Sequence, residues 1–152
     1  MGLLDKIKSA KNFVTGGGAE VAVDVEPARR GEPCRVSVRA TVSDAALSVA
    51  RVYVIVRGEE HIDLLHRDYE DGHSDTDRVR KNEESFRVEI DVATPGELEA
   101  QSSHEWSGEF TLPSDAQPSY HGRYARHIWR VQAGLDVRGN DPDSGWVEFY
   151  VS

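Results

Sequence analysis

Two periodicities divide this chain. From Met1 to Val14 the apolar residues Leu3, Leu4, Ile7, Ala10 and Val14 recur at helical spacing, while Lys6, Lys8 and Lys11 fall mainly off that stripe. The pattern predicts a short amphipathic helix. Gly16, Gly17 and Gly18 follow, and their backbone entropy ends the helix in a flexible joint. Beyond the joint the period becomes two. Val21, Val23 and Val25 alternate with Ala22 and Asp24, and Pro27 to Pro33 reads as a turn about Gly31. Cys34, Val36, Val38, Ala40 and Val42 then oppose Arg35, Ser37, Arg39 and Thr41, as in a strand with one wet face. Ala50, Val52, Val54 and Val56 form the next row, and Tyr53 and Ile55 make its reverse side partly apolar, which predicts cover on both faces.

The alternation lapses between His66 and Glu84, where nearly every residue is polar, and this stretch is expected to be a long exposed loop. It resumes with Phe86, Val88, Ile90 and Val92, stops at Thr94-Pro95-Gly96, and returns in Trp106, Gly108, Phe110 and Leu112. The clearest rows come last: Trp129, Val131, Ala133, Leu135 and Val137, then Val147, Phe149 and Val151 after a turn from Gly139 to Gly145. Roughly eight strands separated by turn signals predict an all-β, immunoglobulin-like antiparallel β-sandwich with a short N-terminal helix. Residues 1–18 are read as helix and hinge, and residues 19–152 as one domain. Trp106 and Trp129 lie on inward rows and are assigned to the core. Trp146, opposite Val147, is placed either at the surface or beneath a loop.

Charge narrows the partners. With 18 Lys and Arg against 27 Asp and Glu, the net charge of −9 disfavours nucleic acid, whose binding needs a concentrated basic surface. The single cysteine, Cys34, has no internal partner and falls on an inward row, which suits a reducing compartment and a small core residue more than a nucleophile. No apolar run is long enough to span a bilayer, and Asp5 and Lys6 interrupt any signal-peptide core, so the chain is read as soluble and cytoplasmic.

Four groupings could carry chemistry. His66, Asp68, Asp71, His73, Asp75 and Asp77 include metal-ligating types, but the residues that precede Gly72 do not fit a calcium-loop pattern and no cysteine supports zinc; a solvated loop is the plainer reading. Asn140-Asp141-Pro142-Asp143-Ser144-Gly145 carries carboxylates that a tight turn uses anyway. His121 and His127 flank Tyr124 and are read as rim residues more readily than as a general acid and base. No Gly-x-Ser-x-Gly elbow or phosphate-binding glycine loop is present, so no catalytic residue, cofactor or resident metal is assigned. The apolar stripe Leu3, Leu4, Ile7 and Val14 cannot be covered by its own helix, and the glycine hinge favours an intermolecular contact, either a second copy of the chain or another protein.

The stretch Leu112-Pro113 to Gly122, with Gln117-Pro118-Ser119-Tyr120 inside it, followed by Ile128-Trp129-Arg130-Val131, resembles a segment of arrestin-type N-terminal domains. The turn Arg30-Gly31-Glu32 leading into Cys34 to Val42, and a next strand ending in Gly58-Glu59, are similar to the opening hairpin of the same family. Bacterial sporulation-control proteins carry such a domain, usually as the first of two. The resemblance implies an arrestin-like sandwich and a non-enzymatic adaptor or regulatory module that binds another protein. The sequence stops after one sandwich, so a function requiring a cleft between two domains is not expected. The alternative is a sandwich that holds a metal ion or a sugar through His66 to Asp77, with His66, Asp68, Asp71 and His73 as ligands.

Overall fold

The computed structural model describes residues 18–70 and 72–152, with the backbone alone for 66–70 and 73–75. The period-two rows become ten strands: β1 (Ala19–Val25), β2 (Pro33–Val42), β3 (Leu47–Val49), β4 (Arg51–Glu70), β5 (His73–Ala93), β6 (Gly96–Leu98), β7 (Ser103–Thr111), β8 (Tyr120–His121), β9 (Ala125–Asp136) and β10 (Val147–Phe149). One antiparallel sheet runs β1-β2-β7, the other β10-β9-β4-β5, with β8 on the far end of β9. The short pair β3-β6 closes one end, where Val49 and Leu98 are buried.

The core lies between the two sheets and is built from the alternating rows. Val36 and Val38 of β2 face Val52, Val54 and Val56 of β4 and Val131, Ala133 and Leu135 of β9 within one buried cluster. Trp129 is fully buried among them, with Phe86 and Phe149 at ring-centroid distances of 5.4 and 6.4 Å. A buried indole N–H needs an acceptor. Here it donates to the Gln117 carbonyl at 2.8 Å, so the loop that follows Leu112-Pro113 is tied to the core residue that follows the loop. The Gly31 N–H donates to the Leu112 carbonyl at 2.8 Å, which joins the two sequence pieces of the resemblance at one end of the sandwich. Trp106 is half-buried at the edge of the core. Trp146 is also half-buried, beneath the Arg57 guanidinium at 4.5 Å.

The polar stretch from His66 to Glu84 is not a loop. β4 and β5 pair along their whole length, from Val52 with Ala93 to Glu70 with His73, around Asp71-Gly72. Gly72 takes a left-handed backbone, φ 75°, and Asp-Gly is a dipeptide that two-residue hairpin turns select. β9 accompanies β4 only as far as Ile62, so residues 63–70 and 73–80 continue as a two-stranded arm of about 26 Å. The side chains described on the arm are mostly exposed, with Leu65 and Val79 among the large apolar residues open to solvent. The loop expectation failed because an arm wet on both faces has no inward row to reveal its strands.

Candidate functional site

At Gly58 and Glu59 the β4-β5 register shifts, so that Gly58 pairs with Phe86, Glu59 pairs with Glu84, and Ser85 is left over as a bulge. Bulges re-aim side chains. Ser85 Oγ lies 2.6 Å from His127 Nε2, in the space that a Cβ on Gly58 would invade. His127 is buried against the Trp129 ring, a correction to its reading as a rim residue, whereas His121 is exposed. The other nitrogen of His127, Nδ1, is buried without a partner. A bare lone pair is cheaper to bury than an N–H, so the favoured tautomer carries its proton on Nε2 and donates to Ser85 Oγ. That polarity is the reverse of what an activated serine requires, and no acceptor orients Nδ1. Burial chiefly, with a smaller contribution from His61, holds the ring below its ordinary range although Glu60 opposes the shift.

The outer face of β4 and β9 is charged and organised in rows. Glu59, nearly buried, is met by Arg57, by Arg130 at 3.5 Å and by the Nε2–H of a neutral His61 at 2.8 Å. In the next row, register brings Asn82 of β5, His61 of β4, Arg126 of β9 and His121 of β8 side by side. One row further, Arg78 grips both oxygens of Asp63 at 2.9 and 2.7 Å, with Arg80 at 3.7 Å. Between these rows and the turn that joins β8 to β9 lies a recess of about 490 Å³, whose walls also include Arg80, Arg123 and Tyr124. Its size is that of ordinary ligand sites. Partial burial, followed by the guanidiniums of Arg126, Arg130 and Arg57, keeps His61 below its usual range.

The other residues singled out from sequence fall elsewhere. Leu3, Leu4, Ile7 and Val14 lie outside the described residues, as do Asp71 and the side chains of His66, Asp68 and His73. The backbone register sets His66 opposite Asp77, Asp68 opposite Asp75 and Glu70 opposite His73. Among the described residues no three His, Cys, Asp or Glu side chains are grouped to hold a metal ion. Cys34 is buried, its thiol pushed up to about 11 by burial and then by Glu26, which makes it a poor nucleophile. The carboxylates of the Asn140–Gly145 turn hold the turn itself. Asp141 accepts from the Tyr53 hydroxyl at 2.9 Å and the Val137 N–H at 3.1 Å, and Asp143 accepts from the Gly145 N–H at 2.8 Å.

Sequence alone singled out His121, His127 and Tyr124 but missed Arg126, Arg123, His61, Arg80 and Asn82. Arg123 lies in the β8-β9 turn; the others come from separate segments, and only strand register sets them in adjacent rows.

No protein-family model matches the chain, and no curated protein matches it at the level of sequence. Among solved structures, the sporulation control protein Spo0M from Bacillus subtilis superposes with a TM-score of 0.60 at 19% identity, covering 90% of this chain and 50% of that one. The likeness establishes an arrestin-like sandwich fold, and the chain spans half the length of that neighbour.

Proposed function

We propose that this chain is a non-enzymatic adaptor or regulatory module that works in the cytoplasm by binding another protein. The observation that carries the reading is the arm. Beyond Asp63 each of its strands is paired on one side only, so backbone N–H and C=O groups along both outer edges are free to pair with an added strand. Charged residues such as Arg78 and Arg80 on the arm suit an edge guarded against unselective pairing. The arrestin-like fold is compatible with this reading, and fold alone does not assign function. The unactivated Ser85 and the buried Cys34 support a role without catalysis. The apolar stripe Leu3, Leu4, Ile7 and Val14 supplies a second contact, to a partner or to another copy of the chain.

The test is to capture interacting proteins from the native cell with three baits: the intact chain, a version with the arm shortened, and a version starting at Ala19. Solution mass is measured on each over a range of concentrations. A partner held by the intact chain and released by the arm-shortened version supports the reading. If all three baits are monomeric and retain the same proteins as a blank, the chain is not an adaptor of this kind.

A further inference from the structure

We infer that the recess between the arm and the β8-β9 turn is a docking site for an acidic peptide segment, with Arg126 and Arg123 receiving its carboxylates. The inference rests on the protein-binding reading above and names the chemistry of the partner. Its ground is the order of charges on the outer face. The row containing Glu59 is filled: the Glu59 carboxylate is shared by Arg57, Arg130 and His61, and its cross-strand neighbour Glu84 is met by Arg87 and Arg57. The row containing Asp63 is filled as well, by the two-pronged grip of Arg78 with Arg80 beside it. Between and beside these rows stand Arg126 and Arg123, and among the described residues no carboxylate pairs with either. The recess walls therefore carry three arginines against the single carboxylate of Asp63, which is already engaged. A protein whose net charge is −9 has gathered an excess of positive charge in one hollow, where Asp63, the one carboxylate of the walls, also feels Arg80 and Arg126.

The neighbouring rows define what fills such a place. Asp63 and Glu59 show that guanidiniums on this face are spaced to receive carboxylates, one of them by two parallel N–H···O bonds. Asn82, and His121 at the rim, add polar groups beside the arginines, and Tyr124, 48% exposed, offers an aromatic wall with Arg123 stacked at 5.4 Å. A hollow of about 490 Å³ holds several side chains of a peptide. A long polyanion is disfavoured by the negative charge of the rest of the molecule, whereas a short acidic segment needs only the local field.

The test is fluorescence anisotropy with a labelled glutamate-rich peptide on the intact chain, beside an otherwise identical peptide carrying glutamine for glutamate. Saturable binding of the acidic peptide alone, weakened by salt, is expected. The double variant Arg123→Ser, Arg126→Ser should weaken it about tenfold or more, while Arg35→Ser, on the exposed face of the other sheet, should leave it unchanged. Equal binding of both peptides, an equal effect of Arg35→Ser, or no saturable binding overturns the proposal. So does displacement of the peptide by inorganic phosphate at equimolar concentration, which would make the recess a phosphate subsite. If the double variant still captures the partner held by the intact chain, the docking site is wrong and the adaptor reading stands. If the acidic peptide binds as described but no partner is ever captured, the adaptor reading fails and the site stands.

Discussion

Strand β4 passes through two environments, and the contrast between them explains most of the molecule. From Arg51 to Gly58 it runs between β9 and β5, with Val52, Val54 and Val56 fully buried on one face and Tyr53, Ile55 and Arg57 half-covered on the other. From Asp63 onward it pairs with β5 alone, and its described side chains are half-exposed or open. The same backbone ladder serves both halves. What differs is the apolar area removed from water, which fixes register and supplies stability in the first half and is nearly absent in the second. The residues between, Gly58 to Ile62, contain the bulge and the charged rows. The candidate site thus lies where the packed sandwich gives way to the open arm.

Changing the sandwich side should cost most. Trp129→Ala removes a fully buried indole that contacts two phenylalanines and donates to the Gln117 carbonyl. The expected loss is about 3–5 kcal/mol in denaturant unfolding. A loss close to zero would mean that the sandwich core does not depend on the residue at its centre. At the border, Gly58→Ala would place a methyl 2.8 Å from Ser85 Oγ and 3.2 Å from both the His127 and Trp129 rings. None of the three can move freely, so overpacking of about 1–3 kcal/mol is expected. An unchanged midpoint would show that the border is looser than its distances imply.

The same contrast decides what was legible in the sequence. β1, β2 and β7 were readable because one face of each is wet and the other dry, and β9 because its fully buried row alternates with polar, partly covered residues such as Arg130 and Gln132. Trp129 was assigned to the core for the same reason. The outer arm was missed because its cross-strand partners from His66 onward, such as His66 with Asp77 and Asp68 with Asp75, are polar on both strands. The one available signal was Asp71-Gly72, a hairpin dipeptide set within a polar run. The recess was illegible for a different reason. His61, Asn82, His121 and Arg126 are scattered over 66 positions of sequence and become one row only through three strand pairings. His127 looked like its neighbour His121, since nothing local shows that the bulge at Ser85 turns a hydroxyl toward it.

A smaller effect should follow pH. Because burial lowers the His127 pKa from its ordinary 6.5, the unfolded chain takes up the proton before the folded one does as pH falls. The contribution is therefore complete above about pH 6.5 and is lost progressively as pH drops toward the folded-state value, by at most about 1.4 kcal/mol per pH unit. His61, lowered in the same direction, adds to the slope. Urea unfolding of the intact protein and of His127→Gln, compared between about pH 7.5 and about pH 5.5, isolates the effect. The variant should show the shallower dependence, and identical slopes would mean that His127 takes up its proton at the same pH in the folded and the unfolded chain.

The smallest stability change is expected from the largest deletion. Leu64 pairs with Val79 and Glu70 pairs with His73, and the two pairs are separated by an even number of residues along each strand. Joining Leu64 directly to Asp71-Gly72 and Gly72 to Val79 therefore keeps both the hydrogen-bonding class of the closing pair and the face each side chain occupies. The deletion removes Leu65 to Glu70 and His73 to Arg78, and with them the Arg78 grip on Asp63. Both partners of that pair are about half exposed, so it contributes little to stability, and Arg80 remains beside the carboxylate. No residue of the buried cluster is touched. Denaturant unfolding of the shortened protein should agree with the intact chain to within about 1 kcal/mol, because the arm opens at little free-energy cost compared with the sandwich. A loss of several kcal/mol would mean that the arm supports the core as strongly as a sandwich strand, and the division of β4 into two environments would then have no energetic content.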